Sequence, residues 1–302
     1  MLRVSTAGLN HLLTAGAMRS QTAYAEASIQ ESTGLLGTSF AAYGARTQTM
    51  LNLQSSVDQA EAWSDAAGVA GDRAQAMYAA IGNVVDSLTT LRTQISAALS
   101  SSDNSGLADT GANALEELAG EINTQLGGRY LFSGARSDTA PVDLDAYDYA
   151  SDTDFSDADT SYYQGDSTRA SVTIDQGQTV TYGVSGDSSG FEKALRAAAM
   201  VATVTTSPAT DTDRLLAAYE LAQQAITELS NLQATVSVTA NRLSDKQTQL
   251  AALVEVSQTA LDDVKNVDTA EAALKVSTTQ AQLQASFSAV SAILKVKLTD
   301  YL

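Results

Sequence analysis

Residues 50–98 read MLNLQSSVDQAEAWSDAAGVAGDRAQAMYAAIGNVVDSLTTLRTQISAA, and their apolar positions decide the fold. Met50, Leu53, Val57, Ala60, Trp63, Ala67, Ala70, Ala74, Met77, Ile81, Val84, Leu88, Leu91, Ile95 and Ala98 follow one another in steps of three and four. A seam of this kind, sustained for about seven heptads, predicts one long helix packed against another, with a stammer-like double three-step ending at Trp63. Trp63 is expected in the core, where its ring fills the gap a stammer leaves. At 1.5 Å per residue the helix extends roughly 70 Å. Ser101, Ser102, Asp103, Asn104 and Gly106 end it. A shorter helix follows through Leu115, Leu118, Ile122 and Leu126, with Gly127-Gly128 expected as its glycine cap.

The same signature returns at Leu215, Ala218, Ala222, Ile226, Leu229, Leu232, Val236, Leu243, Leu250, Leu253, Leu261 and Val264. It opens after Pro208, with Asp211 or Thr212 expected as the N-cap. A narrow 3.5-residue stripe must meet another, and two of similar length on one chain pack most simply as an antiparallel hairpin. The expected fold is therefore mainly α: a long antiparallel helical hairpin or coiled-coil rod, with paired terminal helices and a small acidic β insert.

The insert spans residues 138–190. From Asp138 to Asp166 there are nine Asp and no Lys or Arg. Alternation at Val172/Ile174 and Val180/Tyr182/Val184, across Asp175-Gln176-Gly177-Gln178, then predicts a hairpin. An EF-hand loop is excluded, because Tyr147 and Asp148 stand where a third oxygen ligand and the turn glycine should be. The domain division that follows is 1–45 plus 268–302 for the terminal helices, 46–137 plus 191–267 for the helical rod, and 138–190 for the exposed insert.

Composition excludes most enzyme chemistry. The 302 residues carry 17 Lys+Arg against 35 Asp+Glu, a formal charge of −18, so nucleic acid is not expected as a partner. There is no Cys and one His, His11, which removes thiolate and multi-histidine metal sites and any ordinary catalytic triad. No P-loop, HExxH or nucleophile elbow is present, so no catalytic residue, cofactor or metal is expected. No apolar run approaches the roughly 18 residues that span a bilayer, so membrane insertion is not expected. The N-terminus lacks a secretory apolar block, and by these signals alone a cytoplasmic protein is expected.

The charge is unevenly placed. Residues 1–45 balance Arg3 and Arg19 against Glu26 and Glu31, and residues 268–302 balance Lys275, Lys295 and Lys297 against Asp268, Glu271 and Asp300. Both ends are neutral, and all of the −18 lies between them. A C-terminal stripe of Leu283, Phe287, Val290, Leu294, Leu298 and Tyr301 begins after Asp268, which stands three residues before Glu271 as in a capping box. At the N-terminus Leu9, Leu12, Met18 and Ile29 give a weaker helical pattern that ends at Gly34. Depletion of charge marks interface cores, so these ten residues are the candidate assembly interface. His11 is expected there as a packed neutral side chain. Each end is expected to hinge separately and to order on assembly.

In this setting an ordered set of short motifs resembles the flagellin superfamily, and within it the hook-associated protein 3 family of hook-filament junction proteins. The set comprises MLRVST at the start, Ser32-Thr33-Gly34, GRYLFSGARSDTAPV from Gly128 to Val142, Tyr163-Gln164-Gly165-Asp166, DTAEA from Asp268, LQASF from Leu283 and the terminal LTDYL. Its centre is Gly128, Arg129, Tyr130, Leu131, Phe132, Ser133 and Gly134, whose Arg129–Phe132 run is expected as a hydrophobic plug where helix meets insert. After Gly34 the sequence LLGTSFAAYGAR departs from the family's acidic pair and Pro. The resemblance implies a non-enzymatic structural subunit of the bacterial flagellum that self-associates in a ring or helical tube. It further implies hook-associated protein 1, flagellin and an export chaperone as partners, and an extracellular location reached by type III export without a cleaved signal. The alternative is a flagellin, the filament subunit itself.

Overall fold

The computed structural model describes residues 6–101, 103–150, 155–205 and 208–295. Its long helices are α1 (Thr6–Thr33), α3 (Thr47–Ser101), α6 (Pro208–Lys265) and α7 (Thr269–Lys295). Between them lie the single turn α2 (Phe40–Tyr43), α4 (Leu107–Ile122) and α5 (Ser189–Ala202), with strands β1 (Gln125–Leu126), β2 (Arg129–Tyr130), β3 (Ser171–Asp175) and β4 (Gln178–Thr181). The protein is mainly α, as the heptad seams require. The chain divides into two compact units, Met1–Gln59 with Ala252–Leu302 and Ala60–Ala251.

In the larger unit, α3 and α6 run antiparallel. The Gln233 side-chain amide donates to Tyr78 O at 3.1 Å, and Arg92 meets Gln223, so partners fall along α6 as they rise along α3. Met77, Ile81, Val84, Leu88, Leu91 and Ile95 of α3 are each 1 % exposed or less and share one core with Leu215, Ala218, Ala222 and Leu229 of α6. The predicted α3 seam is buried except at Leu53 and Trp63, which are half-buried. Trp63 therefore lies at the edge of the core.

The α6 seam needs two corrections. Leu253 is exposed, and the helix instead turns Ala240, Val254 and Ser257 inward. The sequence favoured Leu253 because it is the larger apolar side chain, but the register is held by the residues on either side, Leu250 and Leu261. Pro208 is itself the first helical residue, where its fixed φ and missing N–H cost nothing. Asp211 is thus not the cap but a buried first-turn residue, whose carboxylate accepts from the Thr205 hydroxyl at 2.8 Å.

A third correction concerns Gly127-Gly128. Helix α4 ends at Ile122, and the glycines, at φ 60° and 75°, form the two-residue turn between β1 and β2. Two successive positive φ angles match the twist of a tight hairpin. Leu126 accordingly sits on an exposed strand. Helix α5 is a separate element, its alanines and Phe191 buried on nearly every side, and it packs against α4. The β3–β4 hairpin lies where the alternation placed it. Ile174 and Val180 point down onto Ala67, Ala70 and Leu243, and Lys246 of α6 ties Asp175 at 2.6 Å.

Candidate functional site

In the smaller unit, α1 and α7 pack antiparallel over their length. Ser20 and Ser286 hydroxyls lie 3.2 Å apart, and Lys275 donates to Gln30 at 3.1 Å. The residues turned inward are small: Ala17 and Ala27 of α1, Ala272 and Thr279 of α7. Small seams let helices approach closely, and they leave the large apolar side chains outside. Leu12 (62 % exposed), Met18, Ile29, Leu274 and Phe287 (53 %) all face outward.

The ten candidate interface residues therefore divide. Leu12, Met18, Ile29 and Phe287 are exposed, while Leu283 and Val290 are half-buried. Leu298 and Tyr301 lie outside the described residues, as do the side chains of Leu9 and Leu294. His11 is exposed. Asp268 caps α7 as expected, its carboxylate accepting from the backbone N–H of Ala270 at 2.8 Å and of Glu271 at 3.4 Å. Leu274 did not enter the sequence reading, because the stripe was read only from Leu283 onward. Phe40, Leu51, Leu253 and Val256 are also exposed in this unit, and of these only Leu253 belongs to the expected seam.

The family-like motif occupies a different place, inside the larger unit. Leu131 and Phe132 are buried, the Phe132 ring meeting Phe191 edge-on at 5.0 Å, while Arg129 is exposed and Tyr130 half-buried. The plug thus comprises Leu131 and Phe132. Beyond it three segments converge. Gly186 N–H donates to Phe132 O at 2.7 Å, and Asp166 N–H donates to Ser133 O at 3.1 Å. The Tyr163 hydroxyl stands 2.7 Å from Asp166 O and 3.1 Å from Phe132 O, and Ser185 donates to it at 3.1 Å.

Gly134 is required at this knot. A Cβ there would fall 2.1 Å from Asp166 O, and φ is 68°. The Asp166 carboxylate accepts from Ala135 N–H at 3.1 Å and Thr168 N–H at 2.8 Å, and these bonds hold its pKa below the ordinary value. Burial raises that of the Tyr163 hydroxyl, which therefore stays protonated. The arrangement positions backbone, and the Asp187 carboxylate accepts from the Ser185 and Ser167 hydroxyls at its edge.

Residues 219–302 match the family described as the bacterial flagellin C-terminal helical region. No curated protein sequence matches the chain. Among solved structures, a flagellar hook-associated protein from Vibrio parahaemolyticus superposes with a TM-score of 0.58 at 14% identity, covering 73% of this chain and 97% of that one. Bacillus cereus FlgL superposes with a TM-score of 0.56 at 18% identity, covering 71% and 98%. The class is thus a mainly α protein whose residues 219–302 are similar to the flagellin C-terminal helical region. Its fold is that of flagellar hook-associated proteins, as the motifs suggested.

Proposed function

We propose that this chain is a structural, non-enzymatic subunit of the bacterial flagellum, placed at the junction between hook and filament. In this reading it seats on hook-associated protein 1 and offers a platform to flagellin. It closes on copies of itself in a ring or helical tube and leaves the cell by type III export with the help of a chaperone. The assembly domain is 1–45 plus 268–302, the helical rod domain is 46–137 plus 191–267, and the insert 138–190 presents Asp138, Asp143, Asp145, Asp148 and Asp157 to solvent while Tyr162, Ile174 and Val180 anchor it in the core.

One observation carries the reading. Helices α1 and α7 pair through alanine, serine and threonine and present Leu12, Met18, Ile29, Leu274 and Phe287 to solvent. Each such side chain forgoes about 1.5–3 kcal/mol while exposed, a cost a polymer interface removes. The candidate interface is therefore Leu9, Leu12, Met18, Ile29, Leu283, Phe287, Val290, Leu294, Leu298 and Tyr301. Gly128 to Gly134 serve the internal knot of the subunit.

Deleting the gene in the producing bacterium tests this directly. Cells should keep hooks, lose filaments and release flagellin into the medium. Filaments retained in the deletion strain, or filaments grown from this chain alone, would move the assignment to a filament subunit or out of the junction.

A further inference from the structure

The two linkers that lead into the terminal helices are bonded to one another. Leu36 N–H donates to Lys265 O and Val267 N–H donates to Gly34 O, both at 2.8 Å, so Leu35 and Asn266 face each other across a short antiparallel bridge. Gln30 of α1 secures it. Its side-chain N–H donates to Leu36 O at 2.8 Å, and its side-chain oxygen accepts from Lys275 of α7 at 3.1 Å. A single amide thus touches α1, the linker and α7. Farther along, the Tyr43 hydroxyl donates to Gly37 O at 2.8 Å, and its ring packs with Met50 and Leu261. All of these residues belong to the smaller unit.

We propose that the segments 34–39 and 265–268 form one joint, pinned by Gln30, that closes and opens as a unit while α1 and α7 stay paired. The energetic ordering follows from what holds each part. The helix pair is packed along the 27 residues of α7, whereas the joint is held by a few hydrogen bonds and the contact of one side chain, Leu36, with the Tyr43, Met50 and Leu261 cluster, so the joint is the part that opens first. Opening both linkers together lets the terminal pair reorient without exposing its own seam. Two independent hinges would instead let α1 and α7 separate. This goes beyond the flagellar reading and stands or falls without it.

Amide hydrogen exchange on the full-length chain tests the joint. The Leu36 and Val267 amides should show one common protection factor, each rate being divided by the intrinsic rate of its sequence, and a larger one than Thr38 and Ser39. Gln30→Ala should accelerate both by the same factor, about three- to tenfold for one lost hydrogen bond, while the Ala27 and Thr279 amides keep their rates. Gln30→Glu retains an acceptor for Lys275 but removes the donor to Leu36 O, and it should accelerate the same two amides together. Three results would overturn the proposal: unequal protection factors for Leu36 and Val267 in the unmodified chain, acceleration of one without the other, or faster exchange of Ala27 and Thr279 alongside them.

Discussion

The two units spend their apolar residues in opposite ways. The larger one holds ten Lys and Arg against twenty-six Asp and Glu, yet its large side chains are inside: Phe132, Tyr162 and Phe191 are fully buried. The smaller one is close to neutral, with seven against nine. Among the described residues it carries nine of the thirteen large apolar side chains that remain exposed, including Leu12, Phe40, Val256 and Phe287. Charge keeps the first apart from its neighbours at short range, since screening at physiological salt acts only beyond about 8 Å. An apolar, neutral surface has no such barrier. If the exposed face of the smaller unit is where copies meet, as proposed above, fold stability and assembly are carried by different residues and should respond to different substitutions.

The strongest way to break the comparison is to cut into the larger core. Phe132→Ala removes a fully buried ring and its edge contact with Phe191, and should cost about 3–5 kcal/mol in chemical denaturation. A loss below about 1 kcal/mol would mean that the motif is not the core of this unit. Next in size is Tyr163→Phe, which takes the hydroxyl from Asp166 O and Ser185. Leaving those groups unmet should cost about 1–3 kcal/mol without changing helix content by circular dichroism.

The sequence made the helices legible because their signal is periodic and local. Seams at Met77–Ile95 and Leu215–Leu229 come from side chains repeated every three or four residues, and alternation at Ile174 and Val180 gave the hairpin in the same way. What stayed hidden depended on partners distant in the chain. Gly127-Gly128 is the local exception, since two glycines after Leu126 read equally as a helix cap or as the turn between β1 and β2. Gly134 acquires its meaning from Asp166, which lies thirty-two residues on. Gln30 carries no apolar or motif signal at all, and its importance lies entirely in reaching Leu36 and Lys275. At the candidate interface, apolar identity singles out Leu12 and Phe287, which are exposed, but does not separate them from Leu283 and Val290, which are half-buried. The small residues that set the α1–α7 seam carry too little hydrophobicity to announce which face is inward.

A smaller effect, in pH dependence, sharpens the picture inside the larger unit. Lys246 and the Gln176 N–H hold the Asp175 pKa below its ordinary value, so the folded state resists protonation there. Stability from this contact is present above the unfolded pKa near 3.8 and is lost as pH falls through the folded one. Glu192 behaves oppositely. Burial raises its pKa above the ordinary 4.5 despite the attraction of Arg196, so the folded state takes up a proton more readily and stability falls as pH rises through that window. Glu192→Gln should remove the second trend and leave the first, as read from melting temperature between pH 3 and 7 in about half-unit steps.

The smallest expected change in the monomer carries the largest consequence for assembly. In Leu12→Asp combined with Phe287→Asp, both substituted side chains start from positions exposed to water, so no core contact is lost and no cavity forms. What remains is the lower helix propensity of Asp, and the isolated protein should keep its helix content and melt within about 1 kcal/mol of the parent. Assembly is a different equilibrium. If these faces are buried between copies, each subunit must bring two carboxylates out of water with no partner, a penalty of several kcal/mol that self-association cannot absorb. Cells carrying only the double variant should then be non-motile while secreting the protein at normal levels. Replacing Leu216 and Val238, exposed residues of the larger unit, by Asp in the same way is the matched control and should leave swimming intact. Equal motility defects in the two double variants would erase the distinction between the units, and a monomer unfolded by the first pair would place Leu12 and Phe287 in the fold rather than on its surface.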